Sequence, residues 1–129
     1  MSFAPRDFLE QVNEFFCLPE KLIGMDEYLR LSTYFRTIES SFVINDYWEL
    51  FFGFGVHAPD ANSLELGVLN GYSFLAFSLG RMKRGSSSNV IGLDLFEGYK
   101  FNSGSYNAVQ RQLDLMGCIH STLKKTNTR

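Results

Sequence analysis

Two cysteines in 129 residues, Cys17 and Cys118, are too few and too far apart for a disulfide framework or a zinc spacing, and both read as free thiols. The two histidines, His57 and His120, form no metal-ligand pattern either, so a divalent metal has no support among the residues present. No apolar stretch approaches the length of about 18 residues needed to span a membrane, and the first residues lack the basic start and apolar core of a leader. A cytoplasmic protein without a membrane partner is expected by default. Twelve basic against fourteen acidic residues leave a formal charge of -2, which supplies no basic field for a phosphate backbone and argues against a nucleic-acid partner. The cluster Arg81, Lys83, Arg84 reads as the polar end of a helix, where cations suit the negative terminus. The G-x-S-x-G elbow, the H-E-x-x-H pair and the Walker sequence are all absent, which leaves hydrolase, metalloprotease and nucleotide-hydrolase readings unsupported.

What is present is an ordinary globular balance, 45% apolar and 20% charged, in a length that suits one compact unit. Residues 1–60 read as a helical cap. Phe8, Leu9, Val12, Phe15 and Phe16 recur at helical spacing after Pro5, with Pro19 as the exit. Tyr28, Leu31, Phe35, Ile38 and Phe42 mark a second helix behind Asp26. Asp46 to Phe52 predicts a short third one, stopped by Gly53 and Gly55 before a turn at Pro59, Asp60 and Asn62. The dense aromatics of this region read as core filling more than as a cleft.

Residues 61–129 read as a partial Rossmann-like domain. Ser63-Leu64-Glu65-Leu66 predicts a strand, Phe74 to Leu79 a helix, Gly85 to Asn89 a loop, and Val90 to Leu93 a second strand, together a βαβ unit with parallel pairing. Phe96 to Gly104 reads as a loop. Ala108, Val109, Leu113 and Met116 predict a second crossover helix ending at Gly117, and a third strand is expected to begin near Cys118. The fold class expected is therefore α/β, a Rossmann-like sheet of three parallel strands with an N-terminal helical cap.

The chemistry resides in Glu65-Leu-Gly67-Val-Leu-Asn-Gly71-Tyr-Ser73 and in Asp94 at the tip of the second strand. Gly67 and Gly71 let backbone N–H groups and a helix start approach a carboxylate or phosphate, and a strand-tip acid suits the hydroxyls of a ribose. A dinucleotide fingerprint needs G-x-G-x-x-G, whereas here the pattern is G-x-x-x-G preceded by an acid. Glu65 is awkward beside a pyrophosphate and useful beside an ammonium group. A ligand carrying ribose at one end and an amino acid at the other satisfies both acids.

Leu64-Glu-Leu-Gly67-Val-Leu-Asn-Gly71-Tyr-Ser73 resembles motif I of class I S-adenosylmethionine-dependent methyltransferases, in the E-x-G-x-x-x-G-Y-S form of the catechol and caffeoyl-CoA type O-methyltransferases. Val90-Ile-Gly-Leu-Asp-Leu-Phe-Glu-Gly-Tyr99 is more similar to the macrocin-type branch. The resemblance implies S-adenosylmethionine as cofactor and methyl transfer to an oxygen of a small-molecule acceptor. It implies that Glu65 and Gly67 meet the methionine part and that Ser73, at the helix start, bonds the cofactor carboxylate, with Gly71 among the cofactor-binding residues. Asp94 holds the ribose, Tyr72 packs beside the cofactor, and Leu95 with Phe96 borders the adenine.

In that family the acceptor site, with the metal-binding acids and catalytic lysine of the catechol type, lies beyond the third strand, where this sequence stops. No catalytic residue is therefore matched. The expectation is an incomplete methyltransferase, or one in which an oligomer or a partner covers the open sheet edge. Two other readings stay open: a noncatalytic remnant or interaction module on a βαβ scaffold, and a nicotinamide-dependent oxidoreductase, weakened by the missing third glycine.

Overall fold

A computed structural model describes residues 5–38, 47–96 and 104–126. Among the described residues five helices, α1 (Pro5–Ile23), α2 (Met25–Thr37), α3 (Trp48–His57), α4 (Tyr72–Arg84) and α5 (Tyr106–Met116), accompany three strands, β1 (Ser63–Leu66), β2 (Val90–Asp94) and β3 (Ser121–Lys125). The strands form one parallel sheet in the order β1-β2-β3, with Ser63 opposite Val90 and Val90 opposite Ser121. This is the α/β Rossmann-like arrangement with N-terminal helices that the alternation of patterns predicts. Phe42 and Asp46, the side chains of Phe8, Leu9 and Val12, and the loop residues 97–103 lie outside the described residues.

The helical boundaries differ from the sequence reading in three places. Helix α1 does not exit at Pro19 but runs on to Ile23, because the proline ring is buried and that apolar contact offsets the missing N–H. Helix α2 ends at Thr37, whose hydroxyl donates to the Tyr34 carbonyl at 2.6 Å, and Ile38 is already extended. Helix α3 continues through Gly53 and Gly55, the residues expected to stop it.

Packing explains those glycines. A Cβ placed on Gly55 would stand 2.2 Å from the Phe77 carbonyl oxygen, and one on Gly80 would stand 2.2 Å from that of Phe52. Helices α3 and α4 thus approach backbone to backbone, each through a position with no side chain. Gly53 takes the ring of Phe15 from α1 in the same way. Around this contact Phe35, Trp48, Phe52, Tyr72, Phe74, Leu75 and Leu79 form the core. Phe35 stacks on Trp48 at 4.9 Å, and the Trp48 backbone N–H donates to the Tyr72 hydroxyl at 2.8 Å, which satisfies an open donor at the start of α3.

Helices α4 and α5 lie on one face of the sheet. Phe74 and Val68 occupy the space beside Gly92, and Leu123 is buried opposite it. No described helix covers the other face, where Leu64 and Leu66 are 61% and 73% exposed. Parallel sheets normally bury both faces. The third strand begins at Ser121 and not at Cys118, because Gly117 turns the chain in a left-handed cap and Cys118 spends its N–H on the Leu113 carbonyl. Among the described residues no helix is long and apolar enough to cross a membrane.

The glycine contact predicts that Gly55→Ala lowers the stability by roughly 1–3 kcal/mol or more through overpacking. A urea midpoint unchanged from that of the unaltered chain would contradict the backbone-to-backbone packing of α3 on α4.

Candidate functional site

The carboxyl ends of β1 and β2 bring the two predicted acids to one face of the sheet. Glu65 pairs with Gly92, and Asp94 follows Gly92 by two residues, so both side chains leave neighbouring strands on the helix-covered side. The loop from Gly67 to Gly71 leads from β1 into α4. Gly67 has φ +81°, and a Cβ there would meet no atom within 4 Å, so the residue supplies the backbone bend and leaves open space beside it. Gly71, at φ +87°, precedes the first turn of α4 and has the Val109 side chain against it.

Asp94 acts on this loop directly. One carboxylate oxygen accepts the Leu69 N–H at 2.6 Å and the other accepts the Phe96 N–H at 2.8 Å. Leu69 and Phe96 are the two described non-glycine residues with positive φ, 55° and 49°. A left-handed conformation is strained for such residues, and strain of this kind gathers at functional loops. The carboxylate holds the glycine turn and the exit of β2 together.

Glu65 has a different partner. Its Oε1 accepts the Ser73 hydroxyl, while its Oε2 is buried and meets no protein donor. Burial pushes the Glu65 carboxyl above the ordinary glutamate range, and the Ser73 hydrogen bond opposes that shift. Both residues line a cavity of about 160 Å³ beside β1, with Phe51 of α3 and Phe74 and Phe77 of α4 as apolar walls. Asp94 is not among its lining residues.

The structure therefore brings Glu65 and Ser73 together, and ties Asp94 to the loop through the Leu69 N–H. Three positions differ from what the resemblance implied. Ser73 lies one residue into α4 and donates to Glu65, so its hydroxyl hydrogen is already engaged. Tyr72 turns into the helical core, its ring 5.5 Å from Phe35, because its hydroxyl serves the start of α3. Phe96 is fully buried and meets Tyr106 edge-on at 5.4 Å, while Leu95 is half-buried. Sequence reasoning missed Phe51 and Phe77 as cavity walls, since only the packing of α3 on α4 carries them to β1. It also missed Leu69, for which an unremarkable leucine between two glycines offers no signal.

The expected free thiols are both unpaired, Cys17 exposed and Cys118 buried, the latter pushed up to about 11 by burial. Among the described residues no group of histidine, cysteine and acidic side chains is placed to hold a metal. No family model matches the chain, and no curated protein matches it.

The state of Glu65 sets a pH dependence. Its folded value lies above the unfolded one, so its contribution to stability is fully present below the ordinary glutamate range and is lost as pH rises through the raised value. Melts across that window should show stability falling with rising pH from this group. In Glu65→Gln the fall should be smaller, and an identical slope in the two proteins would contradict the buried carboxyl.

Proposed function

We propose that the chain binds S-adenosylmethionine as part of a methyl-transfer protein acting on an oxygen of a small molecule. The observation that carries this reading is the Glu65 Oε2 atom, a buried acceptor with no protein donor, on a side chain that lines a cavity and stands two residues before Gly67. An acceptor in that position suits an ammonium group, which brings donors and a positive charge. The cavity is below the roughly 300 Å³ at which pockets enclose whole small molecules. It suits the amino-acid end of the ligand, and the nucleoside falls outside it, toward the loop that Asp94 holds.

Asp94 keeps capacity for that role. A carboxylate offers about four acceptor positions, and two are used on Leu69 and Phe96. Bound there, the sulfonium would supply an electrophilic methyl group. The residues of this chain bind and orient: Glu65 takes the amine, Gly67 leaves backbone room, Asp94 fixes the loop and offers acceptors to hydroxyls, and the phenylalanine walls exclude water. Alignment of this kind is the larger part of what such chemistry asks of a protein.

A second reading, a noncatalytic scaffold, draws on the same carboxylate. Asp94 already has a structural task, and Tyr72 and Phe96 serve the core. Titration calorimetry separates the two with S-adenosylmethionine, S-adenosylhomocysteine and NAD as ligands. Binding of the first two is expected, weakened about 10- to 100-fold in Glu65→Gln, as befits loss of a charged hydrogen bond. Binding of NAD alone would favour the oxidoreductase, and no binding of any ligand would leave the scaffold.

The same reading includes a partner at the open edge of the sheet. The N–H groups of Ser63 and Gly67 go to carbonyls at β2, so by the alternation of a strand the backbones of Leu64 and Leu66 face outward. Lys124 and Lys125 stand on the opposite outer strand, whereas β1 carries no lysine, arginine or proline to guard its edge. Light scattering over a concentration series should show self-association of the unaltered chain and a monomer for Leu64→Lys combined with Leu66→Lys. A monomeric unaltered chain with a cooperative melt would remove the second copy from this reading.

A further inference from the structure

The aromatic walls of the cavity beside β1 do more than exclude water. Phe51 of α3 and Phe74 and Phe77 of α4 line it together with Glu65, its one ionisable side chain among the described residues. A benzene ring carries a negative face, and a cation within about 6 Å of the ring centroid is attracted to it. Phe77 already makes such a contact: the guanidinium carbon of Arg81 stands 5.9 Å from its centroid. Arg81 is 2% exposed, its terminal nitrogens donate to the carbonyls of Ala58 at 3.0 Å and Ala61 at 3.1 Å, and the Asp60 carboxylate lies 3.7 Å away. Its charge is met by those partners, and among the described residues no cation pairs with Glu65.

The hydrogen-bonding inventory of the cavity selects both the sign and the kind of ligand. Its two side-chain hydroxyls are spent, Ser73 on Glu65 and Ser63 on the Ala61 carbonyl at 3.4 Å. A phosphate or carboxylate would meet no free hydroxyl donor and a buried acid instead. A cation meets that acid, whose charged form burial disfavours until a counter-charge arrives. A bare ammonium brings several N–H donors that all need acceptors, whereas methylation turns those donors into apolar surface for the rings to cover. The volume, about 160 Å³, is far above the roughly 10–15 Å³ that admits one water and below the roughly 300 Å³ of pockets that enclose whole ligands. A head group fits, and the remainder of the ligand stays outside.

We propose that this cavity binds the methylated ammonium head of a small quaternary ammonium compound, with Glu65 as counter-charge and Phe51, Phe74 and Phe77 as its cage. Such a head and the ammonium end of S-adenosylmethionine compete for one place, so the assignment rests on the reading of the cavity as a cation site and not on the nucleoside.

Titration of the full chain with tetramethylammonium chloride, followed by saturation-transfer NMR on the methyl protons at constant ionic strength, tests the assignment, with ammonium chloride and tert-butanol as competitors. Saturable binding is expected, with each competitor at least about 10-fold weaker than tetramethylammonium, and with affinity lowered about 5- to 30-fold in Phe51→Leu, Phe77→Leu and Glu65→Gln. Leucine keeps the wall apolar and removes only the ring. Ammonium competing on equal terms would reduce the site to a bare acid, and tert-butanol doing so would reduce it to an apolar hole. Either result overturns the cage, as does the lack of saturable binding. Should Phe77→Leu fail to fold, Phe51→Leu, at a half-buried ring, decides, and an unchanged affinity there overturns the proposal. A parallel titration with S-adenosylmethionine keeps the two readings apart. Cofactor bound with tetramethylammonium silent overturns this inference alone, whereas tetramethylammonium bound with the cofactor silent supports it and removes the cofactor.

Discussion

The carboxylate of Asp94 is the point on which the carboxyl end of this sheet depends. It accepts N–H groups from two different connections, Leu69 in the glycine turn and Phe96 after β2, and both residues sit in a left-handed conformation. Each such residue costs about 1–2 kcal/mol, and each hydrogen bond to a charged acceptor returns about 1.5–3 kcal/mol. The two magnitudes are comparable, so the strained loop persists because the acid is there to receive it. Gly104 presses from the other side, where any side chain would overlap the Leu69 carbonyl. A turn held at Leu69 by both contacts is preorganised, which lowers the cost of the proposed recognition.

The two acids of the sheet have different partners. Glu65 opens onto an aromatic-walled cavity and keeps one oxygen unmet, whereas Asp94 spends part of its capacity on the backbone. The proposed binding of an amine at one acid and of hydroxyls at the other rests on that asymmetry. It also places the amine end against β1, at the edge of the sheet that no lysine guards, so the proposed ligand and the proposed partner would be neighbours.

At the opposite pole the device differs. Arg81 carries a full charge into the interior and distributes it over two carbonyls and Asp60, closing the turn that leads from α3 into β1. Together with the close approach of α3 and α4 through Gly55 and Gly80, this joins the helical segment before residue 60 to the sheet that follows. Core rings from both segments, Phe35 and Trp48 against Tyr72 and Phe74, belong to the same cluster.

Much of this was legible from local pattern. The strand, glycine turn, helix and second strand from Ser63 to Asp94 are short-range features, set by side-chain alternation, by positive φ at Gly67 and Gly71, and by helical periodicity, and they appear where the residues place them. The parallel order of three strands follows from crossovers too long for hairpins. Tertiary contacts decided the rest. Gly53 and Gly55 have the chemistry of a helix stop, and only the arrival of Phe15 and α4 makes them helix interior. Tyr72, Ser73 and Phe96 fit a cofactor motif by spacing, yet their partners are Trp48, Glu65 and Tyr106. Arg81 looked like surface until the Ala58–Ala61 turn folded over it. Backbone preference acts over a few residues and can be read along the chain, whereas a polar or small side chain takes its role from whatever group distant in sequence comes within bonding distance, and that is settled only when the layers pack.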